Sequence, residues 1–204
     1  MTLSFPLTLE FKFSLFTELR VHDAAGQLVA VVKEKKFSVR DEVRVYSDES
    51  RRTQTHGMKA KGFLAGALDW KAQRFITRAD GRPVGSLRAQ GLRTMWGAAY
   101  DLLGPGDDLR FTIRDDHPWL GVIEGLIDAI PFVGDLISMG FDYLVNPTYT
   151  VSDSAGQPAY RVHKKRSFFA RRFTIEELQP RQDADDELVL MGLIQLVLRE
   201  RERG

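Results

Sequence analysis

A chain of 204 residues with 43% hydrophobic and 28% charged residues can bury a full core, and one domain is the default at this length. Its formal net charge of +1 excludes a global field for nucleic acid or an anionic surface, so a basic partner site has to be local. The absence of cysteine removes disulfide frameworks, thiolate nucleophiles and cysteine zinc sites. Residues Met1–Phe16 lack the positively charged start and long apolar run of a signal peptide, so a cytoplasmic protein is expected, with peripheral membrane contact left open.

In chain order, the sequence reads as short strands joined by tight turns. The strand-like runs Leu19–Val21, Phe75–Thr77, Tyr100–Leu103 and Tyr149–Val151 lead into turns holding Gly26, Gly81, Gly106 and Gly156. Asp23, Asp80 and Asp153 stand in three of these turns, and such pairings of Asp with Gly supply the positive φ that tight hairpins need. A returning strand follows each, as in Gly26-Gln-Leu-Val29, Gly81-Arg-Pro-Val84 and Gly156-Gln-Pro-Ala159, with Gly106-Asp-Asp-Leu109 a looser copy. Another hairpin fits between Val43–Tyr46 and Thr55–Lys61, around residues 48–53. With residues 117–146 set aside, the turns recur about every 20 to 25 residues. Evenly spaced hairpins predict an antiparallel sheet that curls and closes, removing its exposed edges.

Residues 117–146 read as an insertion. Trp119–Val145 is rich in Leu, Ile, Val and Phe, and its acids Glu124, Asp128, Asp135 and Asp142 fall along one stripe of helical pieces. Pro131 and Gly134 interrupt the run, which predicts a helical hairpin joined at 130–134. Three roles stay open for it: a cap on the barrel, a surface that dimerises or docks a protein partner, and a membrane-inserting element. The four acids and the lack of Lys or Arg between His117 and Asn146 count against membrane insertion. The residues for a partner are Leu126, Ile127, Phe132 and Ile137.

The final segment is the strongest signal. Leu188–Leu198 is apolar all round except for Gln195, with the acids Asp183, Asp185, Asp186 and Glu187 before it and a charged tail after it. A helix with no polar face is buried on every side or lies in lipid. Its apolar stretch rises only about 16 Å, roughly half a bilayer core, so burial is expected over a releasable membrane anchor. The expected fold is therefore a mainly β, closed or nearly closed antiparallel barrel wrapped around a buried C-terminal helix at 185–202. Gln195 then needs a hydrogen-bond partner inside the barrel, and Gly192 leaves room for a strand backbone to approach.

Catalysis finds little support. The histidines His22, His56, His117 and His163 are scattered, with none in a metal-ligand spacing. Asp115-Asp116-His117 is the best metal-like cluster, but adjacent carboxylates in a strand point to opposite faces, so a solvated loop is the expected reading. No nucleophile elbow, P-loop or dinucleotide fingerprint occurs. No catalytic residue, metal or cofactor is assigned, and a non-enzymatic protein is expected.

Basic clusters are more informative. His163-Lys-Lys-Arg166 and Arg171-Arg172 bracket Ser167-Phe-Phe-Ala170, Lys33, Lys35 and Lys36 lead to Phe37, and Arg51-Arg52, Lys59 and Lys61 belong to the second hairpin. Each set trails a returning strand, which gathers them at one end of the barrel. The candidates for anionic phospholipid headgroups are Lys164, Lys165, Arg166, Arg171, Arg172, Lys35 and Lys36. The competing reading is a solvated face whose edge lysines block aggregation. Nucleic acid is not expected, since the net charge is near zero and no recognition helix is visible.

Three stretches carry a resemblance: Arg74-Phe-Ile-Thr-Arg-Ala-Asp-Gly-Arg-Pro-Val-Gly-Ser-Leu-Arg88 with Gly91-Leu-Arg-Thr-Met-Trp96; Tyr149-Thr-Val-Ser-Asp-Ser-Ala-Gly156; and Phe173-Thr-Ile-Glu176 with the terminal apolar helix. Over roughly Leu9 to Arg201 the chain resembles LURP-one-related proteins of the tubby C-terminal-like superfamily, which also holds phospholipid scramblases. The resemblance implies a single domain over residues 1–204, a twelve-stranded closed barrel around a central helix, and a non-enzymatic protein associated with phosphoinositide binding, membrane tethering or lipid movement. It does not extend to residues 117–146.

Overall fold

The computed structural model describes residues 2–12, 17–34, 42–60, 73–90, 99–116, 148–165 and 172–203. Their elements run β1 (Leu7–Lys12), β2 (Thr17–His22), β3 (Leu28–Glu34), β4 (Glu42–Tyr46), β5 (Gln54–Ala60), β6 (Arg74–Arg78), β7 (Pro83–Ala89), β8 (Ala99–Leu103), β9 (Leu109–Asp115), β10 (Thr148–Asp153), β11 (Pro158–Lys165), β12 (Arg172–Glu177) and α1 (Asp183–Arg203). Every strand pairs antiparallel with its chain neighbours, and β1 pairs with β12 from Leu7↔Ile175 to Glu10↔Arg172. The sheet is thus a closed barrel, as the hairpin spacing predicts, with the twelve strands that the resemblance implies. The inserted hairpin at 117–146, with Leu126, Ile127, Phe132 and Ile137, lies outside the described residues.

Strand periodicity builds the wall. β1 buries Leu7, Leu9 and Phe11 and turns Thr8, Glu10 and Lys12 outward, the two-residue alternation of a sheet wet on one side. A barrel of eight strands is filled by its own side chains, whereas twelve leave a lumen. Here α1 fills it: from Leu188 to Leu198 no apolar side chain is more than 3% exposed. The helix that has no polar face is therefore surrounded by the inward residues of the strands.

The up-and-down order sorts the connections between two ends. The five tight turns at 23–27, 47–53, 79–82, 104–108 and 154–157 share one end, and so does the 178–182 segment that leads into α1. In all five, a backbone N–H bonds to the carbonyl three residues back: Gly26 to Asp23, Arg51 to Asp48, Gly81 to Arg78, Asp107 to Gly104 and Gly156 to Asp153. The donor residue has positive φ each time. Asp23 and Asp153 also take two backbone N–H groups each on Oδ1, an Asx-type cap. The looser copy differs from expectation: Asp107 (φ 65), not Gly106, takes the left-handed position, which Asp tolerates better than most residues. A ladder irregularity precedes each turn, at Val21/His22, Val45/Tyr46, Ile76/Thr77, Leu102/Leu103 and Val151/Ser152. Such bulges add local twist, and repeating one at every tight turn helps the sheet to curl shut.

The helix comes closest to the wall at β7 and β8. A Cβ on Gly85 (φ +152) would stand 2.2 Å from the Leu103 carbonyl oxygen and 2.8 Å from Leu188 Cδ1. A Cβ on Gly192 would stand 2.3 Å from Leu102 Cδ2. Gly192 thus admits a leucine side chain where a strand backbone was expected; the glycine in backbone contact is Gly85. A second expectation also needs correcting. Gln195 is 1% exposed, yet its Nε2 has no hydrogen-bond partner among the described residues. The helix spans Asp183–Arg203, slightly longer than the 185–202 read from the sequence.

Three outcomes follow for urea unfolding. Gly192→Ala destabilises by about 1–3 kcal/mol through overpacking, and in a double-mutant cycle Leu102→Ala relieves part of that cost. Gly85→Ala costs more and is not rescued by Leu188→Ala, because the Leu103 carbonyl cannot move aside. Gln195→Leu is neutral or stabilising by about 1 kcal/mol, since it removes an unpaired buried donor.

Candidate functional site

Because the tight turns occupy one end, the strand ends that flank residues 13–16, 35–41, 61–72, 91–98, 117–147 and 166–171 all meet at the other. Lys164, Lys165 and Arg172 stand on strand ends there, and Lys35, Lys36, Arg166 and Arg171 belong to connections starting from those ends but lie outside the described residues. Arg51 and Arg52 do not join them. Both sit in the 47–53 turn, part of the opposite set, and Arg51 Nη2 is 2.9 Å from Glu18 Oε2. The β4–β5 turn has to bring Arg51 to the outer face of β2 for this contact, and Glu18 is also held by Arg20 at 3.1 Å.

Register separates the basic residues that the sequence groups together. Lys164 alternates with Val162 and Tyr160, so it shares the inward face and stands opposite buried Phe173. Arg172 is on the outward face, where its Nη2 is 2.8 Å from Glu10 Oε1. Lys165 is the ladder partner of Arg172. Neighbours in a strand cannot share a face, so Lys164 and Arg172 do not form one patch on the barrel wall. They could approach a common ligand only over the rim, beyond the last ladder pair. The residues flanking 117–147 meet at this same rim, where the Asp116 N–H donates to the Thr148 carbonyl at 2.9 Å.

The other end holds a cluster of charges that the sequence reading left unassembled. Each acid of the first helical turns of α1 reaches a different part of the chain. Thr2 Oγ1 donates to Asp183 at 2.8 Å, Arg110 reaches Asp185 at 2.6 Å, and Tyr160 Oη donates to buried Asp186 at 2.5 Å. Glu187, 2% exposed, accepts from Arg78 Nε at 2.7 Å and from a second Arg78 nitrogen, and lies 2.7 Å from His56 Nε2. His56 Nδ1 in turn lies 3.1 Å from Thr55 Oγ1. The Arg78 fork, with His56 second, holds the Glu187 carboxyl down at about 2. Burial pushes Asp186 up, and burial beside Asp186 raises the Tyr160 phenol.

The hydroxyl–imidazole–carboxylate order of Thr55, His56 and Glu187 has the outline of a nucleophile relay. Its geometry argues for anchoring instead. Glu187 is spent on Arg78, His56 is 4% exposed, and Thr55 Oγ1 lies 3.2 Å from the Val45 carbonyl. These contacts fasten the helix N-terminus, where acids are favoured by the helix dipole, to the strands around it. One signal for them was legible: four acids crowding the start of an otherwise apolar helix.

Among the described residues no group of His, Asp and Glu is arranged to hold a metal ion, and Asp115 and Asp116 do not converge with a third ligand. No described helix is long and apolar enough to cross a membrane. No family model, curated protein or solved structure matches this chain.

Glu187 supplies a pH-dependent prediction. Its carboxyl has a lower pKa folded than unfolded, so its stabilisation is present above the unfolded value of 4.5 and is lost as pH falls towards about 2. Asp186, raised by burial, opposes this on the same acid limb. The difference between wild type and Glu187→Gln isolates the Glu187 share: in urea titrations it is about 3 kcal/mol at neutral pH and shrinks below pH 4.5. A pH-independent difference would show that the ion pair carries none of it.

Proposed function

We propose that the protein is a non-catalytic binding module whose connection-bearing end contacts anionic phospholipid headgroups, in line with its resemblance to LURP-one-related and other tubby-like proteins. The observation that supports this is topological. The connections carrying Lys35, Lys36, Arg166 and Arg171 all start from the strand ends of one barrel end, where Lys164 and Lys165 also stand. Connections that carry basic residues far apart in the sequence therefore start from a single rim. A second reading, docking of a protein partner or a second copy through 117–146, draws on the Asp116–Thr148 hydrogen bond, which joins the residues flanking that apolar segment at the same rim.

Co-sedimentation with phosphatidylcholine, phosphatidylserine and phosphoinositide vesicles at low and high salt tests the proposal. Binding to anionic vesicles alone, weakened by salt, is expected. Each basic residue near such a surface contributes about 1 kcal/mol, so the charge reversals K164E, K165E, R166E and R171E together lower partitioning by at least about a hundredfold. Arg172 is left intact because it holds Glu10. Polar replacement of Leu126, Ile127, Phe132 and Ile137 leaves vesicle binding unchanged. It removes self-association or partner docking if the second reading holds. Binding to neutral vesicles that resists salt would overturn the headgroup reading.

A further inference from the structure

The arginines of the barrel are almost all spoken for. Arg20, Arg44, Arg51, Arg78, Arg82, Arg88, Arg110, Arg172 and Arg181 each meet a carboxylate within 4 Å, and Arg74 has an interaction of its own. Among arginines whose side chains are described, three have no partner among the described residues: Arg52, Arg114 and Arg161. Arg52 stands alone in a tight turn. Arg114 and Arg161 stand together.

Their conjunction is set by register. Arg114 of β9 pairs with Thr150 of β10, and Thr150 pairs with Arg161 of β11, so the three lie in one row across the ladder. All three alternate with core residues, Ile113, Val151 and Val162, and so face outward. Two strand spacings put the arginine backbones about 10 Å apart, a gap that two side chains bridge from either side. Both arginines are exposed, and half-buried Thr150 lies between them. The hydroxyls of Thr148 and Ser152, on the same face of β10, extend this floor in both directions.

Of the nearby acids, Asp101 is engaged, Asp116 is offset and Glu176 is only loosely held. Glu176 stands opposite Arg161 in the ladder but its carboxylate lies 3.6 Å from His163. Asp101, opposite Thr112, takes Arg88 at 3.1 Å and Gln90 at 2.6 Å. Asp116 is exposed, beyond the end of β9. With such acids around it, the row is not a diffuse basic surface. A flat monocarboxylate fills one guanidinium fork, whereas a tetrahedral dianion can take a fork from each side and a hydroxyl from below.

We propose that Arg114, Thr150 and Arg161 form a binding site for a phosphate group on the outer wall of β9–β11. The phosphate belongs either to a phosphorylated lipid headgroup or to a free phosphate-bearing solute. The headgroup source rests on the lipid reading above; the site itself does not.

Titration calorimetry of the full chain with inorganic phosphate tests the site. Saturable binding is expected, weakened about tenfold or more in Arg114→Gln and in Arg161→Gln, since each removes charged hydrogen bonds. Arg52→Gln serves as the control and leaves binding unchanged. All three positions are exposed, so unchanged melting temperatures are expected and establish that the variants fold. No binding of phosphate by the wild type, or equal binding by the double variant R114Q/R161Q, overturns the site. The same proteins with phosphatidylcholine vesicles doped with phosphatidylinositol phosphate separate the two sources. If the double variant loses both phosphate and vesicles, the site holds a headgroup. If it loses phosphate while the wild type ignores vesicles, the site stands for a free solute and the lipid reading fails. Vesicle binding that survives in the double variant, with no phosphate binding by the wild type, sinks the site and keeps the rim.

Discussion

A helix without a polar face has no stable place in water, and the architecture of this protein follows from sheltering one. Leu188 to Leu198 needs apolar contact around its full circumference. A flat sheet covers one side of a helix; only a closed wall covers all of it. Closure requires enough strands to leave a lumen, and the hairpins provide twelve. It also requires curvature, which the bulge before every tight turn helps to supply, and close approach at one side, which Gly85 and Gly192 permit. Gln195, buried and partly unpaired, is the one polar concession in that apolar stretch.

The two ends of the barrel are built differently. At the tight-turn end, acids of α1 are tied to Thr2, Arg110, Tyr160, Arg78 and His56, so the helix start is held by groups from several separate strands and the N-terminal segment. At the other end most strand termini lead into longer connections, with basic or apolar sequences. Scaffolds commonly keep positional precision in one region and variable recognition in another. The charged anchor belongs to the first kind, and the second is the role proposed for the rim.

Much of the fold was legible because its signals are local. Apolar alternation, a turn residue of positive φ and a helix with no polar side are each written within a few consecutive residues. The turn at 104–108 shows the limit: Gly106 looked like the turn residue, yet Asp107 takes that conformation because the register places it three residues after Gly104. The candidate site was less legible for the same reason. Lys164, Lys165 and Arg172 are close in sequence, but the pleat sends Lys164 inward and Arg172 outward to Glu10. Arg51 and Arg52 look like members of the basic set until strand direction sends them to the opposite end. Conversely, Arg114 and Arg161 are 47 positions apart in the chain and become neighbours only through their common partner Thr150. Pairings of that kind depend on register over a whole sheet, which no short window of sequence contains.

The seam between β1 and β12 has a consequence for biosynthesis. Leu7 finds Ile175 only after all the intervening strands have been made, and the helix that fills the lumen comes later still. While the chain is growing, β1 presents an unpaired edge and the strands present an apolar concave face with nothing to cover it. Both are templates for misassociation. The residues that make the strands safe are thus synthesised after them, so premature termination before Asp183 should yield an aggregating fragment rather than a smaller barrel.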